Sequence, residues 1–198
     1  MNFLAHAVLS FNDPDMLAGN MISDFVKGKR QYDFPVPIQK GIRLHRDIDT
    51  FTDTHPVTGK MKYFFWPAYR LYSGAFTDIV YDHFLANDKA EFETVSALKH
   101  FTEQTYGYLE MNLTILPLKF QQSFPFMKEH DWLLNYRFAE GIEKSFQGLV
   151  GRASYLSESD TAFGIFNTAY KALEECYYEF FPLLRIYAQS RYHELSNA

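Results

Sequence analysis

The chain has 198 residues, a formal net charge of −5, an aromatic content of 18% and a single cysteine, Cys176. This length fits one domain with a substantial core, and the single cysteine excludes an internal disulfide framework and a thiolate metal cluster. The acidic balance argues against a general nucleic-acid-binding protein, which is normally basic. We therefore expect one domain over residues 1–198 that does not bind nucleic acid.

The first eleven residues are apolar but do not have the pattern of a secretory signal. They lack a basic leader, contain His6 and continue directly into Asn12-Asp13-Pro14. No apolar run in the chain approaches the ~18 to 20 residues needed to cross a bilayer. We expect a soluble, cytoplasmic protein that has no membrane segment.

Apolar side chains recur at helical spacing throughout, whereas sustained two-residue alternation and β-branched clusters are rare. Asp13 and Pro14 are typical of a helix start, Pro56 predicts a helix end, and Pro182 is expected to break or kink the last helix. The fold class is predicted to be all-α, with a loop at 151–159. The predicted helices cover residues 2–11, 14–26, 37–54, 57–72, 75–87, about 88–106, 118–129, 131–149 and 160–193.

The helix predicted at 37–54 places a histidine and a carboxylate on its apolar face. At 100° per residue, Asp49 lies within about 60° of His45, and so do Ile38 and Ile42. Asp47 lies on the opposite, polar side and is expected to face solvent. A buried imidazole and carboxylate are costly without compensation. Either a cation supplies it, or the two side chains satisfy each other within a helical core.

Other polar side chains share faces with apolar residues on three further predicted helices. Asp78 and Asp82 lie one turn apart, and two such carboxylates repel unless a cation or an arginine lies between them. Asp24 lies in the second predicted helix, where it is either inward or exposed in a frayed last turn, and His6 is either a core histidine or a ligand. Together these residues favour a metal site over separate internal networks.

Mixed imidazole and carboxylate ligands suit manganese, magnesium, iron or zinc, and the oxygen-rich balance favours manganese or magnesium. Such an ion is well suited to phosphoester hydrolysis, because it activates water and neutralises phosphate charge. Arg46 or Arg70 is a candidate to hold a phosphate oxygen.

Four segments, in order, resemble the acyl carrier protein phosphodiesterase family: MNFLAH at 1–6, GNMISDFVKG at 19–28, GIRLHRDIDTFTDTHP at 41–56 and DIVYDHFLA at 78–86. The resemblance is close over the first 90 residues and is limited to length and helical character beyond them. It implies a compact helical domain related to the HD-type metal-dependent phosphohydrolases. It also implies hydrolysis of the phosphodiester between 4′-phosphopantetheine and a serine of holo acyl carrier protein, which gives the apo carrier. The implied cofactor is Mn²⁺, with Mg²⁺ or Fe²⁺ as alternatives.

The resemblance also implies roles for individual residues. Asp49 would orient His45 or the attacking water, Arg46 would contact phosphate, and Asp82 would complete the catalytic group. The adjacent His-Asp pair that names the HD superfamily is absent, since Arg46 follows His45, so the ligand set must be rearranged. The implied metal ligands are His6, Asp24, His45 and Asp78.

Because an acyl carrier protein is acidic, an acidic enzyme needs a local basic surface to bind it. Lys27, Lys29 and Arg30 are the candidates, although an ordinary solvated loop has the same composition.

Two alternative functions fit the same residues. One is a phosphohydrolase acting on a nucleotide or another small phosphoester, because fold and ligands do not fix specificity. The other is a helical binding protein without catalysis, which predicts no bound metal.

Overall fold

A computed structural model describes residues 1–197 of the chain. Within them, the regular structure consists of eleven α-helices and four short 3-10 helices, without any strand, so the all-α prediction is confirmed. No helix in this range is long and apolar enough to cross a membrane. The α-helices are α1 (Phe3–Val8), α2 (Pro14–Ile22), α3 (Val36–Thr54), α4 (Pro56–Tyr69), α5 (Ser73–Asn87), α6 (Val95–Asn112), α7 (Leu118–Glu129), α8 (Trp132–Asn135), α9 (Ala139–Arg152), α10 (Asp160–Thr168) and α11 (Tyr170–Ser196). The 3-10 helices are Ser23–Phe25, Gly28–Asp33, Arg70–Tyr72 and Leu113–Ile115.

The start of α2 and the end of α3 agree with the sequence signals. Asp13 accepts hydrogen bonds from the backbone N–H groups of Asp15 and Met16, as expected of a helix cap preceding a proline. The helix α3 ends at Thr54, two residues before Pro56, which begins α4. Local chemistry therefore fixes the start of α2 and the end of α3, and Asp24, His45 and Asp49 all lie between these two points.

Two glycines let α2 and α3 approach each other closely. A Cβ atom on Gly19 would lie 2.1 Å from the carbonyl oxygen of Ile38, and one on Gly41 would lie 2.3 Å from that of Met16. Both distances are far below van der Waals contact, so only glycine permits this packing. The crossing brings the end of α2 against the middle of α3.

Two predicted helix boundaries are wrong because side chains hold the backbone in turns. The helix expected from residue 88 begins at Val95, since Asp88 ends α5, accepts from the N–H of Ala90 and receives the hydroxyl of Tyr177. The helix expected over 131–149 is interrupted between α8 and α9. There, Arg137 donates to the carbonyl of Ala86 and accepts from Asn87, which ties the chain to the end of α5.

The last predicted helix is broken at Ala169 and not at Pro182. Residues 170–196 form one continuous helix through the proline. A proline in a helix removes one backbone hydrogen bond, and here the neighbouring Phe180, Phe181 and Leu184 are buried in the core. Tertiary packing outweighs the local cost, as is general for helices in proteins.

An aromatic core joins α4, α5 and α9. The ring of Phe76 lies 5.8 Å from that of Phe65 and 5.1 Å from that of Phe146, measured between centroids, and all three side chains are fully buried. Burying three such rings contributes several kcal/mol, at about 1.5–3 kcal/mol each. This packing fixes α5, and with it Asp78 and Asp82, relative to the rest of the fold.

Candidate metal centre

Three elements supply polar side chains at one end of the α2–α3 contact. The helix α1 supplies His6, the 3-10 helix after α2 supplies Asp24, and α3 supplies His45 and Asp49. The donor atoms of His6, His45 and Asp49 lie within 4.8 Å of one another. The three residues form the candidate metal triad, and Asp24 lies beside it.

The orientation of His45 is fixed by a backbone carbonyl on α2. Its Nδ1 lies 2.7 Å from the carbonyl oxygen of Asn20. Because a carbonyl only accepts, Nδ1 carries the hydrogen and donates it, which assigns Nε2 as the nitrogen facing the triad. That Nε2 lies 3.0 Å from Asp49 Oδ2 and 3.3 Å from Asp24 Oδ1. In neutral His45, a lone pair therefore faces two carboxylates, an arrangement that requires a proton or a cation between them.

The side chain of His6 stacks on His45, with ring centroids 3.9 Å apart. It is only 3% exposed, and its Nε2 lies 3.2 Å from Asp49 Oδ1. By hydrogen-bond geometry, neither ring nitrogen of His6, nor Nε2 of His45, has a partner, although both Nε2 atoms lie within ion-pair distance of Asp49. Buried polar atoms without partners are rare in native proteins and call for a specific explanation.

The local electrostatics separate the two histidines. Burial, followed by the neighbouring His45, lowers the pKa of His6 to about 4, so this imidazole is neutral at pH 7. Burial also opposes charge on His45, but its contacts with Asp24 and Asp49 outweigh burial and raise its pKa to about 9. Burial favours protonation of Asp49, yet His6, the Met1 amino group and His45 together hold its pKa well below the usual range.

These features fit a divalent cation. Two imidazole nitrogens and a carboxylate converge. Within residues 1–197, the buried side-chain nitrogens that lack a hydrogen-bond partner are three, and all belong to His6 and His45. A backbone carbonyl orients the opposite nitrogen of His45, as is normal for metal-binding histidines. Mixed imidazole and carboxylate donors suit Mn²⁺, Fe²⁺ or Zn²⁺, whereas a site made only of oxygen donors would suit Mg²⁺ or Ca²⁺. The two histidines are buried, whereas the side chains of Asp24 and Asp49 are 76% and 36% exposed. The carboxylates therefore form the mouth of the site and the imidazoles form its floor.

Asp78 lies next to the triad but contacts it through the Met1 amino group. The amino nitrogen lies 3.1 Å from Asp78 Oδ1 and 3.3 Å from Asp49 Oδ1. Burial lowers the pKa of this amino group, but Asp78 and Asp49 outweigh that effect and raise it to about 11. Burial in turn raises the pKa of Asp78. The structure thus places Asp78 at the edge of the site rather than on an imidazole.

Asp82 is fully buried and binds backbone rather than the triad. Its carboxylate accepts hydrogen bonds of 2.7 Å and 3.2 Å from the N–H groups of Leu4 and Ala5, at the start of α1. Burial raises its pKa to about 7 despite these bonds. This geometry anchors α1, and hence His6, to α5, and it separates Asp82 from the catalytic group expected from the sequence.

Arg46 and the basic residues lie on the Asp24 side of the site. Arg46 donates to Gln31 Oε1 at 2.7 Å and to the carbonyl of Val26 at 3.0 Å, so it holds the 3-10 helix Gly28–Asp33. Lys27, Lys29 and Arg30 are all exposed there. They form a basic surface that begins three residues after Asp24.

Asp47 on α3 contacts another helix, whereas the sequence predicts that it faces solvent. Asp47 points away from His45, as its position requires, but it is only partly exposed to solvent. Its Oδ2 accepts from Nε and Nη2 of Arg191 at 3.0 Å and 2.8 Å, which ties α3 to α11. The sequence pattern assigned the face correctly, but it could not indicate that α11 covers it.

Asn20 is the organising residue that the sequence pattern missed. Its side-chain amide donates to the carbonyl of His6 at 2.9 Å and to Ser10 Oγ at 3.0 Å, while its own carbonyl orients His45. It therefore joins both histidines of the triad. The one sequence feature that could have indicated this role is the position of Asn20 among apolar residues of α2. A contact made by a backbone carbonyl cannot be predicted from the type of side chain.

Comparison with known proteins identifies the family. The sequence model described as acyl carrier protein phosphodiesterase matches residues 1–184. Proteins named acyl carrier protein phosphodiesterase are similar over almost the whole chain: one from Yersinia pestis is 30% identical over 96% of this chain and 99% of its own length, and one from Photorhabdus laumondii is 29% identical over 96% of each. A third, from Shigella boydii, is 29% identical over 98% of this chain and all of its own length. No solved structure matches. The chain belongs to the acyl carrier protein phosphodiesterase family.

Proposed function

We propose that the protein is a divalent-metal-dependent phosphodiesterase that acts on holo acyl carrier protein. In this reaction, water attacks phosphorus, the bond from phosphorus to the serine oxygen breaks, and the serine oxygen takes up a proton. The products are the apo carrier and 4′-phosphopantetheine. Family membership supports the substrate, and the observation that carries the metal dependence is the set of buried histidine nitrogens without partners beside Asp49.

We assign the metal to His6, His45 and Asp49, with Asp24 as a further ligand at the mouth. The spacing of the donor atoms supports Asp49 as a ligand, in addition to the orienting role expected from the sequence. Mn²⁺ is the proposed ion, because it accepts imidazole and carboxylate donors together, with Mg²⁺ or Fe²⁺ as alternatives. When bound, such an ion supplies Lewis-acid activation of water and neutralises phosphate charge.

The neighbouring residues act on the substrate and on the site itself. Asp78 lies at the edge of the site beside Asp49, where its carboxyl is near the reacting phosphate. Asp82 is a positioning residue, because it acts through α1 on His6. Arg46 holds the Gly28–Asp33 helix, and we assign Lys27, Lys29 and Arg30 on its surface to the acidic carrier.

The test uses holo acyl carrier protein and follows the loss of the phosphopantetheine mass with and without Mn²⁺. The variants His6→Ala and Asp49→Asn remove donors of the triad, and each should lower kcat by about 100- to 1000-fold, since a bound metal supplies several kcal/mol of transition-state stabilisation. His100→Ala and Asp53→Asn are matched controls, because His100 is exposed and Asp53 is exposed one turn beyond Asp49. Both controls should retain wild-type rates.

Three outcomes would contradict the proposal in different ways. Release that is independent of added metal and survives both triad substitutions would refute the site. Stoichiometric Mn²⁺ binding without release from any carrier would favour a small phosphoester substrate. Absence of metal binding altogether would favour a binding protein without catalysis.

A further inference from the structure

A cleft in the described part of the chain lies beside the triad and is lined by residues that have no part in metal binding. It has a volume of about 600 Å³ and is bounded by the start of α1, by α8 and by one face of α9. Pockets that bind small molecules usually measure about 300–1,000 Å³. This cleft is therefore large enough to enclose an organic ligand and not only solvent.

The cleft begins next to the candidate metal centre. Asn2 and Ile79 line it, and they directly follow Met1 and Asp78, whose amino and carboxyl groups lie beside Asp49. Consecutive Cα atoms are only about 3.8 Å apart. The cleft therefore starts one residue away from the two groups that contact Asp49 or lie beside it.

The walls combine apolar surface with separate polar groups. Phe3 and Trp132 are half-buried with ring centroids 6.5 Å apart, and Ile79 adds aliphatic surface. Asn2, Asn135 and Ser145 supply amide and hydroxyl groups between them. This alternation suits a neutral, flexible chain that carries amides between aliphatic carbons, and it does not suit a purely aliphatic ligand.

Asp131 lines the cleft and has an unusual local geometry. Oδ1 of Asp131 is buried and makes no hydrogen bond. The residue also has a φ of 41°, in the left-handed region that non-glycine residues rarely adopt. Strained backbone and unpaired buried acceptors concentrate at binding sites.

The α9 face of the cleft packs tightly against α8 at Gly141, where a Cβ atom would lie 1.8 Å from the carbonyl oxygen of Asn135, and leaves room at Gly148. Gly141, Lys144, Gly148 and Arg152 recur every three or four residues and so share one face, which spans about 16 Å at the rise of an α-helix. A Cβ atom on Gly148 would meet no atom within 4 Å. Glycine in a helix interior costs about 1 kcal/mol relative to alanine. At Gly148, the absence of a side chain leaves this part of the cleft open.

We propose that this cleft binds the pantetheine arm of the carrier, with the phosphate at the triad and the amides of the arm along α8 and α9. This inference rests on the proposed function, which requires such an arm to reach the metal centre. The arm is an extended chain with two amides, a dimethyl-substituted carbon and a terminal thiol. These groups match the amide, apolar and open surfaces of the cleft in turn.

The first test fills the cleft. Gly148→Leu places a side chain on its floor, whereas Gly107→Leu is the matched control, because Gly107 also lies within a helix, with nothing within 4 Å of its Cβ position, and is not part of the cleft. The measured quantity is kcat/KM for holo carrier divided by kcat/KM for bis(p-nitrophenyl) phosphate, which has no arm. This ratio should fall by about tenfold or more for Gly148→Leu, equivalent to ~1.4 kcal/mol of lost arm binding, and it should stay at the wild-type value for Gly107→Leu. An unchanged ratio for Gly148→Leu would overturn the inference.

The second test captures the arm without relying on turnover. Holo carrier with its arm thiol activated as a 2-pyridyl disulfide is mixed with Gly148→Cys, whose thiolate attacks the activated sulfur and releases pyridine-2-thione. Gly107→Cys is the control, and the wild-type chain, whose one cysteine is Cys176, sets the background. Binding in the cleft raises the effective concentration of the two sulfurs, so capture by Gly148→Cys should be about tenfold faster or more.

The mass of the captured product separates the two proposals. An adduct with the whole carrier shows that the arm enters the cleft, and an adduct with the arm alone shows in addition that the phosphodiester is cleaved. Rapid capture without cleavage would support the cleft and contradict the proposed activity. The opposite result is cleavage of unmodified holo carrier together with equal capture rates for Gly148→Cys and Gly107→Cys. It would support the activity and overturn the cleft assignment.

Discussion

The close approach of α2 and α3 predicts that one methyl group on α3 will disturb both stability and metal binding. In Gly41→Ala, the new Cβ would lie 2.3 Å from the carbonyl oxygen of Met16, and ordinary contact begins at 3.4 Å. The helices must therefore separate by about 1 Å. The same movement would lengthen the 2.7 Å contact between Asn20 oxygen and His45 Nδ1 to a distance at which no hydrogen bond remains.

The expected free energies follow from these distances. Overpacking against backbone typically costs about 1–3 kcal/mol, and loss of the Asn20–His45 hydrogen bond adds about 1 kcal/mol. The higher helix propensity of alanine returns about 1 kcal/mol. We expect a net loss of about 1–3 kcal/mol, which lowers Tm by about 2–12 °C for a chain of this size.

Gly107→Ala is the matched control, since its Cβ would meet nothing within 4 Å. It should raise the free energy of unfolding by about 1 kcal/mol through helix propensity alone. Thermal and urea unfolding, followed by circular dichroism, measure both variants. Calorimetric titration with Mn²⁺ should show affinity about 10- to 100-fold weaker for Gly41→Ala only, because His45 loses its orienting partner. Equal stability and equal affinity of the two variants would refute the reasoning.

Two further predictions concern charge. Burial raises the pKa of Asp82 to about 7 from an ordinary value of 3.8, so the folded state binds this proton more tightly, and the stability it contributes is lost as pH rises through 7. Asp82→Asn removes the titration, and its free energy of unfolding in urea should therefore gain about 3 kcal/mol relative to wild type between pH 5 and pH 8; parallel pH profiles would contradict this origin of the shift. The double substitution Lys29→Glu and Arg30→Glu should raise KM for holo carrier more than KM for a small phosphodiester, most strongly at low salt. Equal effects on both substrates would refute the basic surface as a carrier contact.

The sequence predicted those features that depend on one helix at a time. The spacing within α3 placed His45 and Asp49 on one face and Asp47 on the other, and the structure brings the first two together. The cap at Asp13 and the end of α3 before Pro56 followed from local chemistry in the same way. In each case, the decisive atoms lie within four residues of one another, so spacing and residue type carry the information.

Features that depend on contacts between helices were not predictable. Asp82 shares a face with Asp78 in the sequence pattern, but the N–H groups at the start of α1 bind Asp82, whereas the Met1 amino group contacts Asp78. Asp24 was expected to lie inward, but its side chain is mostly exposed and still reaches His45 because the 3-10 helix turns the chain after α2. Residue type does not report which backbone groups will be unpaired or which helix will approach.

The helical spacing of α3 lets Asp49 supply a carboxylate beside His45 although the adjacent His-Asp dipeptide is missing. On an α-helix, the residue at i+4 returns to within about 40° of residue i, whereas the residue at i+2 points about 200° away. Asp49 therefore shares a face with His45, and Asp47 does not. The remaining donors of the candidate site come from other elements: His6 on α1 stacks on the imidazole of His45, and Asp24 after α2 lies 3.3 Å from its Nε2. Asn20, which binds α1 through its side chain and His45 through its carbonyl, is consequently the residue on which the convergence of these elements depends.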